Sequence, residues 1–209
     1  MKKGVSPAKI VLSVDDGGSF DNVAALKGGT RMKTSFLILA ALAAFTPVPA
    51  RAEVVGSSAN GFHIRHVAQL VVPTPLAYES FTRIGNWWDG EHTYSGDAAN
   101  LSLTLSPGGC FCERIPKTGG GIEHMRVSYV EPGKRLVLTG SLGPLLYEAT
   151  AGSMDIQFER IAGGSRVTLD YKVAGFANAN GQAMAPLVDA VLGNQMKRFR
   201  TYAANRPRS

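Results

Sequence analysis

Residues 182–202 read QAMAPLVDAVLGNQMKRFRTY, and within them Met184, Leu187, Val188, Val191, Leu192, Phe199 and Tyr202 recur at steps of three and four. That spacing puts them on one face of an α-helix, so the pattern predicts a long amphipathic helix over 182–202. From residue 61 to residue 173 the prevailing period is two instead. Phe62, Ile64, His66, Ala68, Leu70 and Val72 alternate with His63, Arg65, Val67, Gln69 and Val71, the pattern of a half-buried strand. Pro73-Thr74-Pro75 ends that strand. Leu76, Ala77, Phe81 and Ile84 then stand at helical spacing, predicting a short helix with Thr74 as N-cap and Pro75 in its first turn. Six further strands are predicted at 101–106, 110–115, 121–130, 135–140, 154–161 and 166–173. The turns between them are marked by Pro107-Gly108-Gly109, Lys117-Thr118-Gly119-Gly120, Glu131-Pro132-Gly133-Lys134 and Ala162-Gly163-Gly164-Ser165.

A sheet with one apolar face must bury it, and one long helix is available to cover it. The expected class is therefore α+β: an antiparallel, seven-stranded sheet curved around the C-terminal helix. Any small-molecule site would lie between the two.

The N-terminal part of the 209-residue chain has a different character. Residues 32–52 carry Lys33, an apolar run from Phe36 to Phe45, Pro47, Pro49 and the ending Ala50-Arg51-Ala52, which together read as a secretory signal peptide. The run is far shorter than the roughly 20 apolar residues of a membrane span. Residues 1–31 precede the second methionine, Met32, and are read as a non-native or disordered extension. Residues 53–60 are small and polar and are expected to form a mobile linker, 61–204 the folded domain, and 205–209 a basic tail. The expected location is periplasmic or secreted, with no stable membrane insertion after cleavage.

Charge follows the same division. The chain has a formal net charge of +6, but seven of its 22 basic and three of its 16 acidic residues precede Glu53, so most of the excess leaves with the signal. A nucleic-acid partner loses its main support. Lys197, Arg198, Arg200, Arg206 and Arg208 gather at the end of the helix and in the tail, where positive charge complements the helix dipole.

The element order, the Trp87-Trp88 pair after the first helix, the turn Glu131-Pro132-Gly133-Lys134-Arg135-Leu136 and the final amphipathic helix resemble the START-like helix-grip superfamily, or SRPBCC. That superfamily includes polyketide cyclase-like proteins and domains similar to an activator of a heat-shock-protein ATPase. The stretches His92-Thr93-Tyr94-Ser95-Gly96-Asp97, Gly109-Cys110-Phe111-Cys112-Glu113 and Leu142-Gly143-Pro144-Leu145 look like an exported bacterial subgroup of it. The resemblance spans about 61–203 and implies a β-α-α-β6-α helix grip with a cavity for an apolar or amphipathic molecule. It implies no single reaction, because one fold serves carriers, cyclases and regulators.

Candidate cavity residues follow from that architecture. Trp87, Trp88 and Tyr94 are candidate wall or lid residues, with one tryptophan in the core and the other at the ligand. Phe111, Met125 and Val127 share a strand face, Leu142 and Leu145 belong to a glycine-hinged apolar loop, and Met184, Val188, Val191 and Leu192 face the sheet from the helix. If the hairpin is symmetric about Thr118, Glu113 faces Glu123 on the strand face of Phe111, Ile115, Met125, Val127 and Tyr129. Solvated strand ends, or ion pairs with Arg114 or Arg126, explain the same glutamates without catalysis.

Cys110 and Cys112 fall on one face of a strand, with Cα atoms expected roughly 6.5–7 Å apart, a poor distance for a disulfide. They read as small buried thiols, as a redox pair, or, with His124 and His92, as ligands of zinc or copper(I). No phosphate-binding glycine loop, nucleotide fingerprint or nucleophile-and-base motif is present, and no cofactor is expected. Three functions remain open: an exported binding module, an enzyme of cyclase, hydrolase or isomerase type using Glu113, Glu123 or His92, and an envelope interaction module.

Overall fold

The computed structural model describes residues 52–206. The signal-like segment 32–51, the extension before it and the last three residues of the tail lie outside the described residues.

The strands are β1 (Ala52–Ser58), β2 (Gly61–Leu70), β3 (Leu101–Leu103), β4 (Cys110–Ile115), β5 (Gly120–Glu131), β6 (Arg135–Thr139), β7 (Ala151–Ile161) and β8 (Gly164–Ala174). All neighbours pair antiparallel, in the order β1-β2-β8-β7-β6-β5-β4-β3. A six-strand meander thus returns its last strand to the N-terminal hairpin. Helix α1 (Thr74–Thr82) and three short 3-10 turns, Ile84–Asn86, Gly90–His92 and Ala98–Asn100, carry the chain across to the far edge. Helix α2 (Gly181–Asn205) packs chiefly on β2 and β1, and α1 packs on α2, β7 and β8.

The sheet therefore has eight strands, not seven. Residues 53–60, expected to be a linker, form most of β1 and the turn into β2. Val-Val-Gly-Ser-Ser lacks a regular alternation, and its pairing shifts register between Val54 and Gly56, so Val54 is partly buried while Val55 is exposed. In β2, β6 and β7 alternation and burial agree. Phe62, Ile64, His66, Ala68 and Leu70 of β2 are buried, and across the sheet so are Leu136, Leu138, Met154, Ile156, Phe158, Val167, Leu169 and Tyr171.

Two local expectations change. Pro73, rather than Thr74, takes the cap position of α1, with no side-chain cap bond. On α2 the buried line is Ala185, Leu192, Met196, Phe199 and Ala203, while Leu187 turns outward at 62% exposure. The first residue of the helix is a glycine, Gly181, because the backbone approach there is close. A Cβ at this position would sit 2.6 Å from the Gly61 nitrogen and 2.8 Å from the Ser58 oxygen, and the Gly181 N–H donates to the Ala59 oxygen at 2.9 Å.

Candidate functional site

The corner after α1 is fixed by aromatic packing. Phe81, Trp87 and Phe199 pack with ring centroids 5.3–5.4 Å apart, and Trp87 Nε1 donates to the Phe81 oxygen at 3.0 Å, so Trp87 belongs to the core. Trp88, its ring 5.6 Å from that of Trp87 and 5.8 Å from that of Phe111, faces the other way. Polar bonds hold this corner to α2. The Asp89 N–H donates to Gln195 Oε1 at 2.9 Å, Asn194 Nδ2 to Asp89 Oδ2 at 2.8 Å, and Arg198 Nε to the Trp87 oxygen at 2.9 Å.

The opposite wall is the segment between β6 and β7, a 3-10 turn over Gly143–Glu148. Leu142 N–H donates to the Tyr171 hydroxyl at 3.1 Å, Thr150 Oγ1 donates to the Leu145 oxygen at 3.2 Å, and Ser141 Oγ bonds the Thr150 oxygen. Leu145 is pulled inward to 2% exposure, while Leu146 and Tyr147 stay outside.

Between this wall, the Trp88 corner, β4–β5 and the first half of α2 lies a cleft of about 500 Å³. Among the expected ligand-contacting residues, Trp88, Tyr94, Phe111, Leu142, Leu145, Met184, Val188, Val191 and Leu192 line it, joined by Leu187, Pro144 and Tyr147. His92 lines it at the exposed rim, where its carbonyl oxygen accepts from Trp88 Nε1 at 3.2 Å. Trp87, Met125 and Val127 do not line it and are buried in the core.

The glutamate pair does not form. Pairing of β4 with β5 shifts by one residue between Phe111 and Cys112, so Glu113 lies opposite Ile122, and Cys112 opposite Glu123. The additional residue on β5 is His124. A bulge of this kind turns two successive side chains to one face, and His124 and Met125 are both buried. Glu123 points outward and pairs with Arg126 at 2.5 Å. A second shift after Val127 leaves Tyr129 46% exposed rather than on the inner face.

Glu113 is fully buried and its carboxylate is well supplied with donors. Oε2 accepts from Tyr94 N–H at 3.1 Å and lies 3.0 Å from His124 Nε2, while Oε1 accepts from Ser95 N–H at 2.5 Å. Burial alone would raise the Glu113 pKa, but the bonds from Ser95, Tyr94 and His124 outweigh it and hold the carboxyl below its ordinary range. Burial pushes the His124 imidazole down, against the opposite pull of Glu113, which favours a neutral ring. An ionised carboxylate facing a neutral imidazole takes a hydrogen bond from Nε2–H and leaves Nδ1 as the acceptor nitrogen. Nδ1 is buried and has no hydrogen-bond partner within the protein. The ring borders the cleft and packs 5.0 Å from Phe111 and 5.9 Å from Tyr94, centroid to centroid.

Cys110 and Cys112 are joined as a disulfide, their Cα atoms 5.3 Å apart instead of the spacing of a regular strand. The register shift beside Cys112 departs from a straight strand at this point. The sulfurs are therefore unavailable as thiolates, and His124 is engaged by Glu113 on the opposite face. Among the described residues no cluster of three or more His, Cys, Asp or Glu could hold a metal.

Sequence reasoning missed His124 as the partner of Glu113 and Tyr147 as a neighbour of Tyr94 at the mouth. A bulge without glycine leaves no mark in the alternation, and Tyr147 belongs to a segment without periodicity.

No protein-family model matches the sequence, and no curated protein matches it. Among solved structures, protein MLL2253 from Mesorhizobium loti has a TM-score of 0.51 at 12% identity, over 70% of this chain and 99% of that one. Protein SSP2350 from Staphylococcus saprophyticus gives 0.49 at 16% identity, over 68% and 92%. The di-domain ARO/CYC StfQ from the steffimycin biosynthetic pathway gives 0.46 at 11% identity, over 69% of this chain and 51% of that one. At 12% identity the likeness to MLL2253 is one of fold alone.

Proposed function

We propose that the protein holds an apolar or amphipathic small molecule in the cleft between α2, β4–β5 and the 142–148 wall. The observation that carries this reading is the cleft of about 500 Å³, whose walls are mainly aromatic and aliphatic side chains. That size suits a drug-sized molecule, and such walls with a few polar groups are the usual make-up of a small-molecule site. The resemblance of the sequence to the helix-grip superfamily supports the same reading. The signal-like residues 32–52 and the Cys110–Cys112 disulfide support an exported location, since disulfides persist in oxidising compartments.

The test is titration with N-phenyl-1-naphthylamine, a neutral apolar fluorophore, against the wild type and Val188→Trp. Val188 is half-buried on the cleft side of α2, so the larger ring fills the space. The expected result is a saturable rise in fluorescence with the wild type and at least about tenfold weaker binding by the variant. Equal binding by a folded variant would place the probe elsewhere and remove the reading.

A further inference from the structure

The Cys110–Cys112 disulfide lies on the side of the sheet away from the cleft. Phe111 and Glu113 are buried on the inner face of β4, and α2 stands across the cleft from Phe111. The cysteines alternate with them and so belong to the outer face, where both are half-buried beside the exposed Arg114, Glu123 and Arg126.

A bridge stabilises a fold by restricting the unfolded chain, and its effect grows with the length of the loop it closes. Here the two cysteines are only two residues apart, so that effect is small. Coupling is reciprocal, and a bridge that adds little to folding is held by the fold little more firmly than by an unfolded tripeptide. The strand does not add to that hold. Alternate Cα atoms of a regular strand stand roughly 6.5–7 Å apart, whereas these stand 5.3 Å apart beside the shift in the β4–β5 register. Reduction lets β4 relax toward regular spacing. A partly exposed bridge that closes no long loop and departs from its strand's geometry is of the kind that exchanges with thiols rather than the kind that staples a fold.

We propose that Cys110 and Cys112 form a redox-active disulfide that oxidises accessible cysteine pairs of peptides. The flanking charges give the exchange a direction. Across the ladder Cys110 is paired with Arg126 and Cys112 with Glu123. A thiolate leaves more readily beside a guanidinium than beside a carboxylate. The incoming peptide thiolate therefore attacks Cys112 Sγ, the bond between the two protein sulfurs breaks, and Cys110 departs as the thiolate. The second peptide thiolate then attacks the peptide sulfur of the mixed disulfide and releases Cys112. The peptide loses two electrons and two protons, and the protein, now a dithiol, gains both. A cysteine pair is the fitting substrate because its second thiol resolves the mixed disulfide without another reagent. Arg126 is fixed on this face by bonds to Glu123 at 2.5 Å and to the Gly108 oxygen at 3.0 Å, so its charge is shared and the bias it imposes is modest.

The test begins with the folded protein in buffers of reduced and oxidised glutathione, quenched in acid, with free thiols counted by the mass that maleimide adds. The bridge is expected to open and close reversibly within the range that the glutathione couple spans, with circular dichroism unchanged. A bridge that stays closed throughout that range and opens only in urea would overturn the proposal. The oxidised protein is next mixed with a reduced peptide that carries two cysteines. Peptide disulfide should form roughly tenfold faster than with an equal concentration of oxidised glutathione, and not at all with the double variant Cys110→Ser, Cys112→Ser. A rate no greater than that of glutathione would equally overturn it. Direction is read from iodoacetamide alkylation of the single variants at neutral pH. Cys110 in Cys112→Ser should react about threefold faster than Cys112 in Cys110→Ser, and Arg126→Gln should narrow the difference. Equal rates without that third substitution would contradict attack at Cys112.

Discussion

The hydroxyl of Tyr171, wholly buried on β8, accepts the Leu142 N–H at 3.1 Å, so the outer wall of the cleft hangs from the centre of the sheet. Burial raises the Tyr171 pKa well above the ordinary phenol value, and the group is a neutral hydroxyl at any physiological pH. Removing it leaves the Leu142 N–H without its acceptor. Tyr171→Phe is expected to lose about 1–3 kcal/mol of stability in denaturant titration and to speed amide hydrogen exchange at Leu142. Unchanged exchange there would show that the wall is held by other contacts.

The two adjacent tryptophans should separate cleanly. Trp87 packs between Phe81 and Phe199, and Trp87→Ala is expected to cost about 3–5 kcal/mol. Trp88 borders the cleft, so the space left by Trp88→Ala merges with an existing cavity. Its loss in urea denaturation should be smaller than that of Trp87→Ala, while its affinity for N-phenyl-1-naphthylamine falls. The reverse ranking would reassign which ring faces the ligand.

Stability should fall in acid in two stages. Burial holds His66 and His124 below the ordinary imidazole value of 6.5, against the opposing pull of Asp189 and Glu113 respectively. Below 6.5 the unfolded chain takes up protons that the folded chain resists. The contribution is complete above that value and is lost as pH falls toward the folded pKa values. Glu113, held below the ordinary 4.5 by hydrogen bonds that outweigh its burial, stabilises the fold above 4.5 and loses this effect as pH falls through its folded value. Urea midpoints at about pH 7.5, pH 5 and pH 4 should therefore decrease in that order. A flat profile between the first two would contradict the neutral, buried imidazoles.

The disulfide should matter little to global stability. It closes a loop of only three residues, and restricting so short a loop in the unfolded chain contributes about 1.5 kcal/mol at most. The double variant Cys110→Ser, Cys112→Ser should fold, with a loss no larger than that in thermal or urea unfolding. A much larger loss would mean that the β4 register depends on the bridge.

Much of the fold was legible because burial is one-sided. Ile64, His66 and Ala68 alternate with exposed neighbours, and Leu192, Met196 and Phe199 mark a helix face, so β2 and α2 announce themselves. β1 does not, since Val54, Val55 and Gly56 straddle a register shift that interrupts the period. The site was legible only in part, for the same reason. Phe111 and Glu113 share the inner face of β4 as their spacing indicates, but their partners depend on a shift of one residue in β5. That shift replaces a Glu113–Glu123 pair by Glu113–His124 and sends Glu123 to Arg126. No residue type in the His124-Met125 stretch demands such a bulge. The gathering of Tyr94, Tyr147 and Trp88 around one opening likewise depends on how three irregular segments pack, which carries no period at all.

The central claim is that the space between α2 and β4–β5 receives a small apolar molecule. Methyl NMR of the labelled protein titrated with 2-methoxynaphthalene tests it most directly. The account predicts saturable shifts at Leu142, Leu145, Val188, Val191 and Leu192, which line the cleft, and quiet methyls at Ile64, Leu136 and Ile156, which lie in the core away from it. Shifts confined to other surfaces, or none at ligand saturation in water, would contradict it.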